Sequence, residues 1–222
     1  MLHVSLYPEH YEVFGINVGL SVFISWFVMA VLLIAIVLLH FLVVRRLKPE
    51  PKGWQNAIEL LVDGVYRWSA GKVGHAADFV APAVMTLMAY VFFNTIIELF
   101  GLPPATEDIN CTFAMGLCTF AVVNVTGLKF RGGVRGRLKG LCMPSPIVMP
   151  IRILTDFIAP CSIAIRLFAN IMVGGIIMQL IYAVEPIILP AVVAAYFNVL
   201  HVGIQTFVLG LLTLVYVSEA VE

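Results

Sequence analysis

Residues 161–183 read CSIAIRLFANIMVGGIIMQLIYA, an apolar stretch broken by a single charge, Arg166. From Phe157 to Val184 no other side chain is charged. A guanidinium stays protonated in proteins, and at mid-bilayer it costs about 2.5–3.5 kcal/mol on insertion scales. The apolar flanks, about nine residues on one side and eighteen on the other, are too long for easy snorkelling to an interface. A residue that costly is expected to face a water-filled cavity or a charged partner inside a membrane assembly. Ion translocation is therefore the leading functional reading.

The rest of the chain fits a membrane setting. Of 222 residues, 61% are hydrophobic and 12% charged, with a mean hydropathy of +1.02. Soluble domains carry about 25% charged residues, so most of this chain is expected in lipid. The net charge is zero, yet apart from Arg166 every Lys and Arg lies within Arg45–Lys72 or Lys129–Arg152. Segments before Phe14, at Thr106–Asp108, near Glu185 and at the end of the chain carry carboxylates only. The positive-inside rule makes the two basic segments cytoplasmic. The loop KFRGGVRGRLKG matches no phosphate loop; topology explains its charge, and no nucleic-acid partner is expected. Cys111, Cys118, Cys142 and Cys161 show neither C-x-x-C spacing nor histidine clustering, so they read as small apolar residues rather than metal ligands or disulfides.

These patterns predict an all-α membrane protein, a single integral domain over 1–222. It has five transmembrane helices plus one amphipathic interfacial helix. The first span, 14–44, follows Glu9 and Glu12 and precedes Arg45, Arg46 and Lys48; it is too long for a signal-peptide core and reads as an N-outside helix. Over 51–74, Trp54, Ile58, Leu61, Val65 and Trp68 recur at helical spacing, with Glu59, Asp63 and Arg67 on another face. That suits a helix on the cytoplasmic interface; a soluble-core helix is the alternative, with little soluble material to pack on. The second and third spans, 79–102 and 111–128, turn outside through the acidic, proline-bearing PPATEDIN. The last two apolar runs, 150–183 and 187–217, each exceed the hydrocarbon thickness of about 30 Å. They must tilt strongly, kink (Pro160 offers a place) or project. Five crossings from an outside N-terminus leave the C-terminus cytoplasmic and put both basic segments on one side.

Three polar stripes mark the spans. Arg166 and Asn170 share a face one turn apart, continued by Gly174 with Gly175 beside it; small residues there admit a close helix. Asn198, His201 and Gln205 form a second stripe, and Tyr90, Asn94 and Glu98 a third. Asp156 lies between Arg166 and the cytoplasmic end. Asn and Gln in membrane helices also serve as glue between helices at about 0.6–2 kcal/mol, His201 taken alone reads as an interior histidine, and Glu98 and Glu185 fit the outer interface.

The run Arg166-Leu167-Phe168-Ala169-Asn170, preceded by Pro160 and Ser162, resembles the P-x-S-x-x-x-R-L-F-[GA]-N signature of subunit a of F-type ATP synthases. Pro150 to Asp156 resembles the run opening the same helix; Thr106, Asp108, Asn110 and Thr112 match the family's T-x-D-[IL]-N-x-T pattern. Gly203 to Val208 and Leu211 to Tyr216 are similar to the family's C-terminal motifs. The resemblance runs from about residue 10 to the end.

What the resemblance implies is a non-catalytic channel subunit in a bacterial plasma membrane, without a cofactor, whose partners are the c-ring, b-type peripheral stalk subunits and lipid. Its last two helices press on the ring. Arg166 attracts the passing ring carboxylate and separates two half-channels, through which a proton or Na+ is exchanged to couple ion flow to ATP synthesis. Asn170 and Gln205 match polar positions around the arginine and the outer half-channel, Asp156 an acidic position of the cytoplasmic half-channel, and Glu98 lies within a residue of a carboxylate that some members carry. Two family positions differ: Gly175 stands where many members have a carboxylate or histidine, and Asn198 where many have His or Glu. His201, one turn from Asn198, is the candidate substitute. Arg152 replaces a usual Asn and reads as interface charge.

Rival classes leave weaker traces. A secondary transporter using Arg166 to bind an anionic substrate predicts inverted repeats, and none is found. An intramembrane hydrolase needs a Ser/His or paired-Asp set; no G-x-S-x-G occurs. An assembly factor has no use for Arg166. With no phosphate loop, the chain by itself is not expected to make or hydrolyse ATP.

Overall fold

Lipid offers no hydrogen-bond partners, so a chain this apolar meets its backbone needs inside helices. The computed structural model describes residues 10–13, 16–42, 53–97, 104–133, 136, 149–184 and 188–221. Six helices make up nearly all of them: α1 Leu20–Leu42, α2 Trp54–Val73, α3 Ala77–Ile96, α4 Ile109–Phe130, α5 Met149–Val184 and α6 Ile188–Val221. Among the described residues, five helical stretches are long and apolar enough to cross a membrane. The protein is an all-α membrane protein.

One departure lies at the start. His10–Val13 (β1) and Ile16–Gly19 (β2) pair antiparallel, with Val13 opposite Ile16 and His10 opposite Gly19. The first helix therefore begins at Leu20, not at 14. Tyr11, Val13, Ile16 and Val18 are aromatic or β-branched and favour a pleated strand, so an apolar run that looked continuous with the helix is spent on a hairpin. Gly19 then approaches Asp108, whose carboxylate caps α4 by accepting from the Asn110 backbone N–H at 2.9 Å. The T-x-D-I-N-x-T run is thus, in part, a helix start.

Helix α1 touches its neighbours only through its first turns. Ile24 and Val28 are buried and Ser25 hydrogen-bonds the Tyr90 hydroxyl, whereas Leu33 and Ile34 are each 60% exposed. An all-round apolar helix of this kind belongs in lipid. Helix α2 ends where Gly74 adopts φ 57°, a left-handed conformation that costs glycine little. A 3₁₀ turn, Gly74–Ala76, then leads into α3. Trp68 stacks on Phe207 of α6 at 5.2 Å, and Val73 joins the core. Leu61, on the apolar face of α2, is 57% exposed, open to the lipid that an interfacial helix meets.

Two apolar clusters join α3 to α6. At one end Val80, Val84, Val123, Leu214 and Val217 pack together; mid-bundle, Val91, Met115, Ile163, Leu167 and Leu209 do so. Lys129 lies 4.2 Å from the Phe79 ring at the first end; Asp108 marks the other. Helix α4 offers α5 a seam of small residues, with Thr112, Gly116 and Thr119 all buried. Gly116 sits so close to α5 that a Cβ there would run into the Pro160 carbonyl oxygen. Helix α5 continues through Pro160 for 36 residues and α6 for 34, roughly 54 and 51 Å at 1.5 Å per residue. Both outrun the hydrocarbon core and must incline or project.

Gly116→Ala is expected to destabilise the fold by about 1–3 kcal/mol through overpacking. Gly210→Ala, whose new methyl would meet the flexible end of Met88 as well as Trp68, should cost less. Thermal unfolding in detergent reads the order; equal midpoints would remove the α4–α5 backbone contact as a determinant.

Candidate functional site

The 36-residue α5 carries Arg166 mid-way along an exposed face. Its inward side is set by Ile163, Ala164, Leu167 and Ile171, all buried against α4 and α6. That leaves Arg166 and Asn170 turned outward beside Ile165, Met172, Val173 and Ile176. No described carboxylate forms an ion pair with Arg166; the ion pair found among the described residues is Asp63–Arg67 at 2.8 Å on α2. A cation on an apolar outer surface is costly in lipid, which makes this face incomplete without a partner or water.

Asn170 reaches across to α6, where its Nδ2 donates to Gln205 Oε1 at 2.6 Å. Gln205 is only 4% exposed, so this bond ties the two long helices one turn from Arg166. Gly174 and Gly175 continue the line on α5, and a Cβ at either would meet nothing within 4 Å. No described residue of this chain fills that space.

His201 lies one turn before Gln205 on α6, half-buried, with Nε2 buried and lacking a hydrogen-bond partner. Asn94 Oδ1 on α3, Thr206 Oγ1 on α6 and Thr106 Oγ1 before α4 are likewise buried without partners. Met88 and Gly210 are in reach of each other; from there the antiparallel α3 and α6 bring Asn94 towards the level of His201 and Thr206. Buried polar atoms are nearly always satisfied, so this half of the bundle calls for water. Asn94 belonged to a visible stripe; Thr206 was hidden, since a threonine among apolar residues carries no periodic signal.

Asp156 is not with Arg166. Ten residues place it about 80° around the helix and about 15 Å along it. It lines a recess between α4, α5 and α6 together with Thr119, Pro160 and Tyr216. Asn198 is helical, three residues before His201, and its side chain lies outside the described residues, as does the whole of Glu98. Among the described residues no cluster of His, Cys, Asp and Glu is arranged to hold a metal ion.

The family model described as ATP synthase A chain matches residues 22–218. ATP synthase subunit a 1 of Crocosphaera subtropica is 29% identical over 210 residues, 93% of this chain and 89% of that protein. ATP synthase subunit a 3 of Pelobacter propionicus is 32% identical over 203 residues, 89% and 86% of the two chains. For ATP synthase subunit a of Moorella thermoacetica the figures are 28% over 199 residues, 89% and 88%.

A double-mutant cycle on Asn170→Ala and Gln205→Ala should give a coupling of about 0.6–1.7 kcal/mol, the range of side-chain bonds between membrane helices. Thermal unfolding in detergent measures it. Strict additivity would mean the two amides do not hold α5 to α6.

Proposed function

The chain belongs to the ATP synthase A chain family, a membrane-sector subunit of F-type ATP synthase, and we propose that it passes ions through that sector to the c-ring by way of Arg166. The observation that carries this reading is a guanidinium on an exposed apolar face of a 36-residue helix, with no described carboxylate to neutralise it. A partner that brings its own carboxylate to that face completes it. A ring of small hairpin subunits, each with one acidic residue in mid-membrane, is such a partner, and the open space at Gly174 and Gly175 suits its close approach.

The chemistry follows from Coulomb's law in a poorly screened site. Arg166 favours the ionised form of the ring carboxylate and so drives off its proton or Na+ as it arrives. Once past Arg166, the carboxylate takes an ion from the outer half-channel, becomes neutral and tolerates lipid. After nearly a full turn it meets the inner half-channel and discharges. The fixed positive charge also opposes a direct leak between the two channels. Asn170 and Gln205 hold α5 and α6 in register beside it. Lys is a poor replacement, since it lacks the planar fork of donors and loses its charge more readily when desolvated.

The outer half-channel runs through the Asp108 half of the bundle, where the unsatisfied atoms of His201, Asn94 and Thr206 support a wetted path. His201 serves there in place of the acidic groups absent at Gly175 and Asn198, with Glu98 near its mouth. Asp156 serves the cytoplasmic side. The N-terminus lies outside and the C-terminus inside a bacterial plasma membrane, with α2 at the cytoplasmic interface. Peripheral-stalk b subunits hold the chain against rotation.

Arg166→Gln, in vesicles where assembly of the complex has been verified, should abolish both ion-driven ATP synthesis and ATP-driven pumping, and Arg166→Lys should not restore them. Coupled turnover in the Gln variant would end the proposal. His201→Ala should slow coupled proton uptake from the outer side by about 10²-fold or more, the scale of a lost proton-transfer group; unchanged uptake would take His201 off the path.

A further inference from the structure

Helix α1 meets α3 at one end only. Ser25 hydrogen-bonds the Tyr90 hydroxyl, and Ile24 and Val28 are buried beside it. Leu39 follows Val28 by about three helical turns, which returns it to the same face of α1 within about 20°. It is 42% exposed where Val28 is 2%. Phe79 stands in the same relation to Tyr90 on α3 and is 37% exposed; Thr86, between them on that face, is exposed too. The two helices therefore diverge from a closed end at Tyr90 to an open end at Phe79. The faces they turn to each other bound a wedge. Its wall is apolar even at Thr86, whose hydroxyl is spent on the Pro82 carbonyl at 2.8 Å.

The wedge is one leaflet deep. From Tyr90 to Phe79 is about 16 Å at 1.5 Å per residue, half of a hydrocarbon core of about 30 Å. A partner helix crossing the membrane would have to pass the closed end, where α1 and α3 touch. A lipid tail needs only the open half. The mouth is basic. Lys129 Nζ lies 4.2 Å from the centre of the Phe79 ring, and no described carboxylate forms an ion pair with it. Resting on the ring leaves its donors free for a phosphate. Asp78, beside Phe79 in sequence, accepts instead from the Tyr66 hydroxyl of α2 at 2.6 Å. That bond sets the mouth at the level of α2, the interfacial helix. In the sequence, Arg45, Arg46 and Lys48 come shortly after the end of α1 at Leu42.

We propose that the wedge between α1 and α3 binds an anionic phospholipid, with its phosphate on Lys129 and a tail between Leu39 and Thr86. This rests on the topology proposed above and on nothing in the ion path. The cytoplasmic leaflet is the one rich in such lipids, and its negative potential attracts basic side chains at the membrane surface. The lipid fills what α1 leaves open and joins the second half of that helix to the bundle.

The test uses the assembled complex in phosphatidylcholine liposomes whose two leaflets are alike. A trace of phosphatidylglycerol or of phosphatidylcholine carries a diazirine on one tail, and mass spectrometry locates the adducts after illumination. Adducts at Leu39 and Thr86 are counted relative to those at Leu33, on the far side of α1. By that ratio phosphatidylglycerol should exceed phosphatidylcholine about fivefold, the effect of one basic side chain at an anionic surface. Lys129→Gln should bring the probes level, and Lys129→Arg should keep the preference. Leu39→Trp, which fills the wedge, should lower adducts at Thr86 from both. Equal ratios in the parent chain overturn the proposal, as does a preference that survives Lys129→Gln. Adducts at Leu33 alone overturn it too, since another protein would then cover the wedge. If Lys129→Gln does not assemble, the two probes on the parent chain and Leu39→Trp decide. Matched leaflets make the outcome independent of which side is cytoplasmic. The topology fails separately, if Lys129→Cys in intact cells takes up more membrane-impermeant maleimide from outside than the parent does. The ion-path reading fails only if Arg166→Gln still couples.

Discussion

A side chain buried between helices in a bilayer has only protein to bond to, and the interior of this bundle is arranged around that shortage. Thr95, Thr119, Thr126 and Thr213 are buried, and each donates to the carbonyl four residues back on its own helix, at 2.7–3.2 Å. Ser69 does the same on α2 at 2.8 Å. Polarity is thereby settled locally, before helices meet, and close packing can follow from shape. Side-chain bonds between helices are correspondingly few among the described residues: Ser25 with Tyr90, Asn170 with Gln205 and, at the exposed end of the bundle, Tyr66 donating to Asp78.

The exceptions to that economy gather where function does. No described carbonyl or carboxylate settles the charge of Arg166, and the orphaned atoms of Asn94, His201 and Thr206 sit in the half of the bundle proposed for the outer path. Dry helices elsewhere give such atoms their contrast. The Asn170–Gln205 bond ties α5, which carries Arg166, to α6, which carries His201 and Thr206.

Much of this was legible in the chain. Long apolar runs announce their helices because burial in lipid and helical backbone go together, and a lone arginine in such a run is conspicuous. The start of α1 was not legible, because hydropathy cannot separate a β-branched strand from a helix when both are apolar. The buried threonines at 112, 119 and 126 recur every seven residues, yet their near-neutral hydropathy hides the seam they form. Asn170 and Gln205 announced their faces but not their meeting, which depends on how two helices cross. Asp156 shows the converse: helical arithmetic alone sets it about 80° around α5 from Arg166 and about 15 Å along it.

The contact between Gly116 and Pro160 also has a mechanical side. Side chains yield under load by changing rotamer, but here main chain lies against main chain, with no methyl group between to act as a cushion. A sideways push on the outer face of α5 is therefore handed to α4 with almost no give. For a part whose proposed task is to stand still beside something that turns, stiffness at that one glycine limits the slack through which torque would otherwise be lost.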